Sequence, residues 1–461
     1  EISTRDWSSD VCSSDLMAEK GRLKIQCYVN DTYIPVDGSK AILKPSAGQE
    51  GESKEVNLVT NSSGETEIIE LDAPPFAYSQ EPSRPTPYSL YDLRIERAGF
   101  QDLTVNGIQI FSQSLAIQPC YLISASDIIS RKTRADIINI APHTLNGNYP
   151  SKIPEEVDKP LPPPTSGVVL PKPVVPEYIT VHDGSPNNDS APNYKVPYKD
   201  YIKNVASCEI YSTWPESTIR ANVYAIISFT LNRIYTEWYR GKGKNYDITN
   251  STAYDHAFNY GRNLYDSISV IVDDIFSSYI RRYGRKQPLL TQYCDGKNVQ
   301  CPGWMTQWGS KYLGDQGKTP YDILTHFYGD DIELVTAEVV EGSPKSYPGY
   351  DLTVGSSGPE VQTIQEQLNR IAQNYPLIPK VAVDGVYGDS TKESVKVFQS
   401  IFNLPQTGIV DYATWYKISD VYVGVTRIAE LRGSVKRTFI PPVSFDIMNN
   451  KNIPSLTYFE D

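Results

Sequence analysis

The chain has 461 residues, of which 39% are hydrophobic, and this length suggests about three domains. Its 55 acidic residues outnumber its 43 Lys and Arg residues, giving a net charge of −12. That balance excludes the basic face that neutralises phosphates, so we expect no nucleic-acid partner. No run of about 18 apolar residues occurs. The sequence therefore predicts no transmembrane helix and no membrane partner.

The first 16 residues differ in character from the rest of the chain. They read EISTRDWSSDVCSSDL, contain Ser-Ser-Asp twice and precede Met17. They lack the basic and apolar regions of a signal peptide. We therefore expect residues 1–16 to be a foreign or artefactual leader, with no signal peptide after Met17 either.

Residues 17–130 have the pattern of a β-domain. Short runs of partly alternating residues, such as LKIQCYV, ETEIIEL and YDLRIERAG, are separated by Gly, Asn, Asp and Pro. This spacing predicts an antiparallel β-sandwich. The segments VDGSKAILKP, TNSSGE and YDLRIERAGF resemble carboxypeptidase-regulatory-like modules, and that resemblance implies a binding or positioning role.

Residues 131–177 are predicted to be a linker. Nine prolines lie between Pro150 and Pro176, and proline favours an extended chain without backbone donors. Such a segment is exposed and is a preferred place for proteolytic cleavage.

Residues 178–340 form the largest predicted block, with a mixed α/β pattern. Apolar residues at helical spacing between Ile219 and Ile234 predict one long helix, and the segment 263–282 is interpreted as a second. We expect both apolar stripes to face the core.

A short linker, 341–351, precedes a C-terminal module at 352–422 and a tail at 423–461. Within the module, Pro359 suits the first turn of a helix, and the loop from Asp384 to Gly388 separates two helices. The order of Val361, Gln365, the Asp-Gly-Val-Tyr-Gly loop, Phe398 and Trp415 resembles the three-helix peptidoglycan-binding module of bacterial wall hydrolases. We expect its apolar positions to be core, and its binding residues to be Asp384, Tyr387 and Asp389. The predicted fold is therefore a multidomain α+β protein.

Motifs in the central block resemble the SpoIID/LytB family, whose members include lytic transglycosylases. A Glu, Glu209, precedes Trp214-Pro215 and the long helix, and about 100 residues later the chain reads MTQWG and then GKTPYDILTHFYG. One departure is that Cys301-Pro302-Gly303 stands where the family often has Gly-His-Gly-Val-Gly.

The resemblance implies cleavage of a glycosidic bond with Glu209 as the catalytic residue. A hydrolase requires a second carboxylate, whereas in a lytic transglycosylase the C6 hydroxyl of the substrate attacks C1 and one Glu serves as acid and then base. The polar positions that match the family's cleft are predicted to contact substrate: Asp247, Thr249, Ser251, Thr252, Gln307 and Trp308.

Three interpretations of Cys294 and Cys301 remain open. They are a disulfide, a zinc site and free thiols. Zinc needs further ligands, and His256 is the nearest candidate, so we predict no metal and no cofactor. Cys208 has no His partner placed by any motif, which argues against a thiol hydrolase.

The order of the blocks resembles that of clostridial spore cortex-lytic enzymes. This implies a zymogen in the spore cortex or coat region, with peptidoglycan as substrate and a subtilisin-like protease as activating partner. We place the cut at Val168, Val169 and Leu170. The alternative is a non-catalytic wall protein that stimulates an amidase, as in the LytB branch.

Overall fold

The computed structural model describes residues 19–30, 33–47, 55–82, 84–125, 137–155, 172–341 and 347–426. The predicted leader, the predicted processing residues Val168, Val169 and Leu170, and residues 427–461 of the tail lie outside this part of the chain.

In the described parts of the N-terminal block there are nine strands in two sheets. They are β1 (Glu19–Val29), β2 (Ile34–Pro35), β3 (Lys40–Pro45), β4 (Val56–Val59), β5 (Ile69–Ala73), β6 (Tyr88–Glu96), β7 (Leu103–Phe111), β8 (Leu115–Leu122) and β9 (Ile137–Asn139). One sheet has the order β4-β3-β6-β7-β9, and in the other β1 pairs with β2, β5 and β8. Inward side chains such as Ile25, Ile95 and Val105 are fully buried. The pairing is mixed and not purely antiparallel, because β1–β8 and β7–β9 are parallel pairs.

Part of the predicted linker is folded. Ile137–Asn139 extends the sheet of β4, β3, β6 and β7 as strand β9, and residues 140–155 continue without regular secondary structure. Hydrogen bonds from this stretch reach both blocks, for example from the Gln109 side chain to the carbonyl of Ala141 and from the amide of Thr144 to the carbonyl of Cys208.

The central block is built around one long helix. Its elements are β10 (Val174–Val175), β11 (Tyr178–His182), β12 (Asn193–Pro197), α1 (Tyr198–Glu209), α2 (Glu216–Tyr235), β13 (Ile248–Thr249), β14 (Leu264–Tyr265), α3 (Asp266–Ile275), β15 (Ser278–Arg282), β16 (Tyr293–Cys294), β17 (Met305–Thr306), α4 (Gln307–Asp315), α5 (Pro320–Tyr328), β18 (Ile332–Thr336) and β19 (Val339–Val340). Helix α2 packs against α1, α3, α4, α5 and β15. Its buried residues include Val223, Ile227 and Phe229, which confirms the prediction of a core helix.

The prediction of a second long helix over 263–282 was wrong. The helix α3 ends at Ile275, and Ser278–Arg282 forms strand β15, paired antiparallel with β18. Tyr279 and Ile280 favour a strand and are buried in this pair, so tertiary packing decides the conformation here.

The N-terminal and central blocks share one continuous hydrophobic core. Strand β14 pairs antiparallel with β8, placing Leu264 opposite Ile117 and Tyr265 opposite Ala116. The central block therefore contributes an edge strand to the N-terminal sheet.

The C-terminal module has three helices and its own core. They are α6 (Pro359–Asn374), α7 (Asp389–Ile401) and α8 (Tyr412–Thr426). Leu368, Phe398 and Trp415 lie at the centre of a cluster separate from that of the other blocks. No helix in the described ranges has the length and apolar character needed to cross a membrane.

Candidate active site

Glu209 lies at the C-terminal end of α1, where Ile210 turns the chain into an extended conformation. The residue is 4% exposed. Its Oε1 accepts a hydrogen bond from the backbone amide of Ala257 at 2.8 Å. Its Oε2 accepts from Gln307 Nε2 at 3.0 Å and from the Thr144 hydroxyl at 3.3 Å. Since three separate segments hold it, the carboxylate has a fixed orientation.

Gln307 fixes both the main chain and the side chain of Glu209. Its Nε2 also donates to the Glu209 backbone carbonyl at 2.9 Å. Gln307 is the first residue of α4, whose preceding residue, Thr306, caps the helix by accepting from the Gly309 amide. The MTQWG motif therefore places an amide against the carboxyl group, about 100 residues away in sequence.

The Glu209 carboxyl group faces a cavity of about 40 Å³. The cavity joins four of the predicted site residues with residues of two further segments: Glu209, Thr252, Cys294 and Gln307, with Thr144, Tyr149, Pro150, Lys152, Tyr293, Asp295 and Val299.

Four predicted substrate contacts do not line this cavity. Asp247 is bound to the Thr180 amide and to Arg240, and Thr249 is fully buried with its hydroxyl on Asp255. The carbonyl of Ser251 closes a turn by accepting the amides of the residues three and four positions later. Trp308 packs against two aromatic rings of the core, those of Tyr211 and Trp214. Asp247, Thr249 and Trp308 therefore make their contacts within the protein and not with the cavity.

Four of the cavity residues come from the segment assigned to the linker: Thr144, Tyr149, Pro150 and Lys152. Lys152 donates to the Asp255 carbonyl at 2.8 Å, and its ammonium lies 4.2 Å from the centre of the Tyr293 ring. Desolvation lowers the pKa of Lys152 to about 8, although the nearby carboxylate of Glu209 opposes this change.

Two buried polar atoms beside Lys152 have no hydrogen-bond partner among the described residues. They are the hydroxyl of Tyr293 and Nε2 of His256. Burial raises the pKa of Tyr293, and it lowers the pKa of His256 well below its usual value, so both are neutral at neutral pH. Unpaired buried groups are costly, and they are the kind of group that a polar ligand satisfies.

The carboxylates near Glu209 are committed to structural roles. Asp295, the other carboxylate that lines the cavity in the described chain, accepts three amides of the following loop at 2.7–3.2 Å. Asp255 is held by the side chains of Arg233, Tyr239 and Thr249. Glu216, seven residues after Glu209, is exposed and pairs with Arg220 on the surface of α2.

The loop that carries Asp295 is closed by a disulfide between Cys294 and Cys301, whose Cα atoms are 5.9 Å apart. Within the described ranges, no group of three His, Cys, Asp or Glu residues is arranged to hold a metal ion. Cys208 is a buried free thiol, and burial raises its pKa, which keeps it protonated.

In the C-terminal module, the structure separates the predicted binding residues. Tyr387 is fully buried and its hydroxyl donates to the Gly408 carbonyl, so its prediction as a binding residue is corrected to a core role. Asp384 Oδ1 accepts from the Val386 amide and Gln365, which lowers the pKa of this carboxyl. Asp389 is exposed in the first turn of α7.

Comparisons with known proteins bear on the module. Residues 357–418 match the family described as "Putative peptidoglycan binding domain". The chain therefore carries a peptidoglycan-binding domain of the predicted three-helix type.

No curated protein matches the chain. Among solved structures, "The crystal structure of SleB N-terminal domain" is 26% identical, with 17% of this chain and 99% of that chain covered and a TM-score of 0.15. An intradiol ring-cleavage dioxygenase from Tetranychus urticae is 15% identical, with 21% and 52% covered and a TM-score of 0.14. At these TM-scores neither likeness carries an argument about this chain.

Proposed function

We propose that this protein is a peptidoglycan lytic transglycosylase and that Glu209 is its catalytic residue. The observation that carries the proposal is a carboxyl group, 4% exposed and held by Ala257 and Gln307, in a chain that also has a peptidoglycan-binding domain. In this reaction Glu209 protonates the glycosidic oxygen between N-acetylmuramic acid and N-acetylglucosamine. The bond between this oxygen and C1 of N-acetylmuramic acid breaks, and the N-acetylglucosamine side leaves as the alcohol. Glu209 then takes the proton from the C6 hydroxyl of the muramic acid as that oxygen bonds to C1, which gives a 1,6-anhydro product.

A single-carboxylate reaction suits the surroundings of Glu209. A hydrolase needs a second carboxylate to activate water or to attack the sugar. Asp295 lines the same cavity, where its oxygens bind three amides of its own loop, and Asp255 is held in a buried ion pair with Arg233. Neither is available without breaking the loop or the ion pair that it stabilises.

The biological setting is proposed from the order of the blocks. A β-domain, a Pro-rich stretch, a SpoIID-like block and a peptidoglycan-binding module resemble the clostridial spore cortex-lytic enzyme SleC. On this basis the protein degrades spore cortex during germination, as a zymogen activated by a subtilisin-like protease that cuts near Val168–Leu170.

The second candidate is a non-catalytic wall protein that stimulates an amidase. The cavity at Glu209 favours this alternative, because about 40 Å³ is far below the roughly 300–1,000 Å³ of a small-molecule site. Cys301-Pro302-Gly303 also departs from the family's glycine-rich motif.

Product analysis distinguishes the two candidates. Cortex glycan is digested with the full chain and with the chain cut between residues 156 and 171, and the products are read by mass spectrometry. We expect anhydro-muramic ends from the cut form, and at least a 100-fold lower rate in Glu209→Gln, because loss of a general acid–base typically costs 10²–10⁴-fold.

The matched control is Glu216→Gln, which makes the same change at an exposed Glu whose partner is Arg220. We expect its rate within about twofold of the wild type. Undiminished activity in Glu209→Gln would refute the assignment, and an absence of cleavage by every form would favour the amidase-stimulating candidate.

A further inference from the structure

Residues 141–155 run across the central block without regular secondary structure and bond to its backbone. The amide of Thr144 donates to the Cys208 carbonyl at 3.1 Å, and the amide of Ile153 donates to the Ala253 carbonyl at 2.8 Å. The Gln292 side chain binds the C-terminal end of the segment: its Nε2 donates to the Ile153 carbonyl, and its Oε1 accepts the amide of Glu155. The segment thus lies in a groove formed by main-chain and amide groups.

Side chains of the segment contact Glu209 and the Tyr293 ring, two groups of the kind that bind sugars. The Thr144 hydroxyl donates to Glu209 Oε2, the oxygen that also accepts from Gln307. The Lys152 ammonium covers the face of Tyr293, 4.2 Å from the ring centre. Aromatic faces and carboxylates are typical sugar contacts, and here a hydroxyl and a cation belonging to the chain itself take both.

The charged groups of the groove, Arg233 and Glu209, keep hydrogen-bond partners if the segment leaves. Glu155 forms two hydrogen bonds with Arg233 at 2.8 and 2.9 Å, but Arg233 also pairs with Asp255 at 2.7 Å. Departure of Glu155 therefore leaves a neutral buried pair and not an isolated charge. Glu209 likewise retains its bonds from Ala257 and Gln307. The backbone carbonyls and the Tyr211 hydroxyl that the segment releases are groups that glycan hydroxyl and acetamido groups can bond.

We propose that residues 141–155 occupy the glycan groove of the Glu209 site, and that a glycan strand and this segment compete for the same groups. The inference rests on the proposed function for its ligand class. It assigns to this segment the role of an internal competitor, which keeps the site closed at about 40 Å³ until the segment is displaced. It also assigns the backbone of residues 208 and 253, with Tyr211 and Tyr293, to glycan binding.

The test measures binding in a Glu209→Gln background, so that it does not depend on catalysis. Glu155→Gln weakens the charged anchor of the segment, whose partner Arg233 is 1% exposed. The control is Glu338→Gln, the same change in an exposed ion pair with Lys172 away from the groove. The ligand is a soluble tetrasaccharide of alternating N-acetylglucosamine and N-acetylmuramic acid. Any binding by the C-terminal module is common to all variants.

We expect Glu155→Gln to bind the tetrasaccharide at least tenfold more tightly than the background, and Glu338→Gln to equal the background. Hydrogen exchange at the amides of Thr144 and Ile153 should speed up when the sugar is added. Asn146→Ala is a milder second variant, since it removes an exposed side chain that accepts from the Tyr211 hydroxyl at 2.6 Å. It should tighten binding in the same direction.

Equal affinities in all variants, or sugar binding that leaves exchange at residues 141–155 unchanged, would overturn the inference. Absence of binding in every variant would overturn it too. Failure of the proposed function gives a different result: the affinity difference would persist, while the chain with Glu209 intact yields no anhydro ends.

Discussion

Lys152 is a partly buried cation, and its burial disfavours the charged form in the folded protein. Desolvation lowers its pKa from 10.5 to about 8, even with Glu209 and Asp255 nearby. The difference corresponds to about 3 kcal/mol in favour of the neutral amine in the folded protein. Lys152 is protonated in the unfolded chain at neutral pH. Burying it as a cation therefore lowers the free energy of unfolding and opposes the docking of residues 141–155.

Replacement of this residue should have a pH-dependent effect on stability. Between pH 8 and pH 10.5 the unfolded chain binds more protons at Lys152 than the folded chain does, so the wild type gains stability as the pH rises. We expect Lys152→Met to be more stable than the wild type at pH 7, by up to about 3 kcal/mol. Urea unfolding at several pH values measures this, and the advantage should shrink from pH 8 upward. A difference that stays constant up to pH 10 would contradict the assignment.

At the scale of elements, two buried glutamines organise the C-terminal module in the same way. Gln365 on α6 holds the loop before α7: its Oε1 accepts the Gly385 amide, and its Nε2 donates to the Val386 carbonyl. Gln399 on α7 repeats this with the loop before α8, through the Gly408 amide and the Ile409 carbonyl. Each Nε2 also reaches a Thr hydroxyl in the following helix, at Thr391 and Thr414 respectively.

The module should depend strongly on these amides. Gln399→Met keeps the volume but removes the side-chain partner of the Gly408 amide. The Ile409 carbonyl then keeps only a 3.5 Å bond from the Thr407 hydroxyl. We expect a loss of about 2–4 kcal/mol, because unpaired buried groups cost about 1–3 kcal/mol each. The control is Gln362→Met on the exposed face of α6, with an expected change within about 0.5 kcal/mol. Thermal unfolding of the module measures the stability of both variants. Similar losses in Gln399→Met and Gln362→Met would contradict the role of Gln399 in holding the loop.

Elements of the fold and the site could be predicted from the sequence where residues close together in the chain determine them. The three helices of the module and the core helix α2 follow from apolar spacing, and the proximity of Gln307 and Glu209 follows from a family resemblance. The linker prediction includes residues 141–155 because Pro150 and Pro154 begin the Pro-rich stretch that continues to Pro176. Their docking depends on long-range bonds, such as that from Ile153 to Ala253, which no local pattern encodes.

The helix prediction over 263–282 failed for a related reason. The apolar residues keep helical spacing as far as Ile275. Beyond that point Tyr279 and Ile280 pair with a strand more than 50 residues later, and a local pattern does not reveal that partner. Tyr387 was misassigned because an aromatic residue in a polar loop is typical of a sugar contact. Whether its ring faces outward or into the core is set by packing, and here it is 0% exposed.

At the scale of the whole molecule, one body contains two separate cores. The first joins the N-terminal β-block to the central block, and the second belongs to the peptidoglycan-binding module. The module contacts the central block through a hydrogen bond from the Tyr422 hydroxyl to Glu177 at 2.6 Å, beside a cavity of about 740 Å³. A module with its own core can act as an anchor that increases the local concentration of the central block on an insoluble glycan.

Loss of this anchor should affect insoluble and soluble substrates differently. We compare the full chain with a chain shortened after Glu341, which keeps β19 paired with β10. On intact peptidoglycan sacculi we expect the rate to fall by at least tenfold, since linked binding adds on the order of 10²–10⁴ in avidity. On short soluble glycan fragments the rate should stay within about twofold, because no surface attachment is involved. Equal losses on both substrates would mean that the module stabilises or shapes the Glu209 site instead of anchoring it.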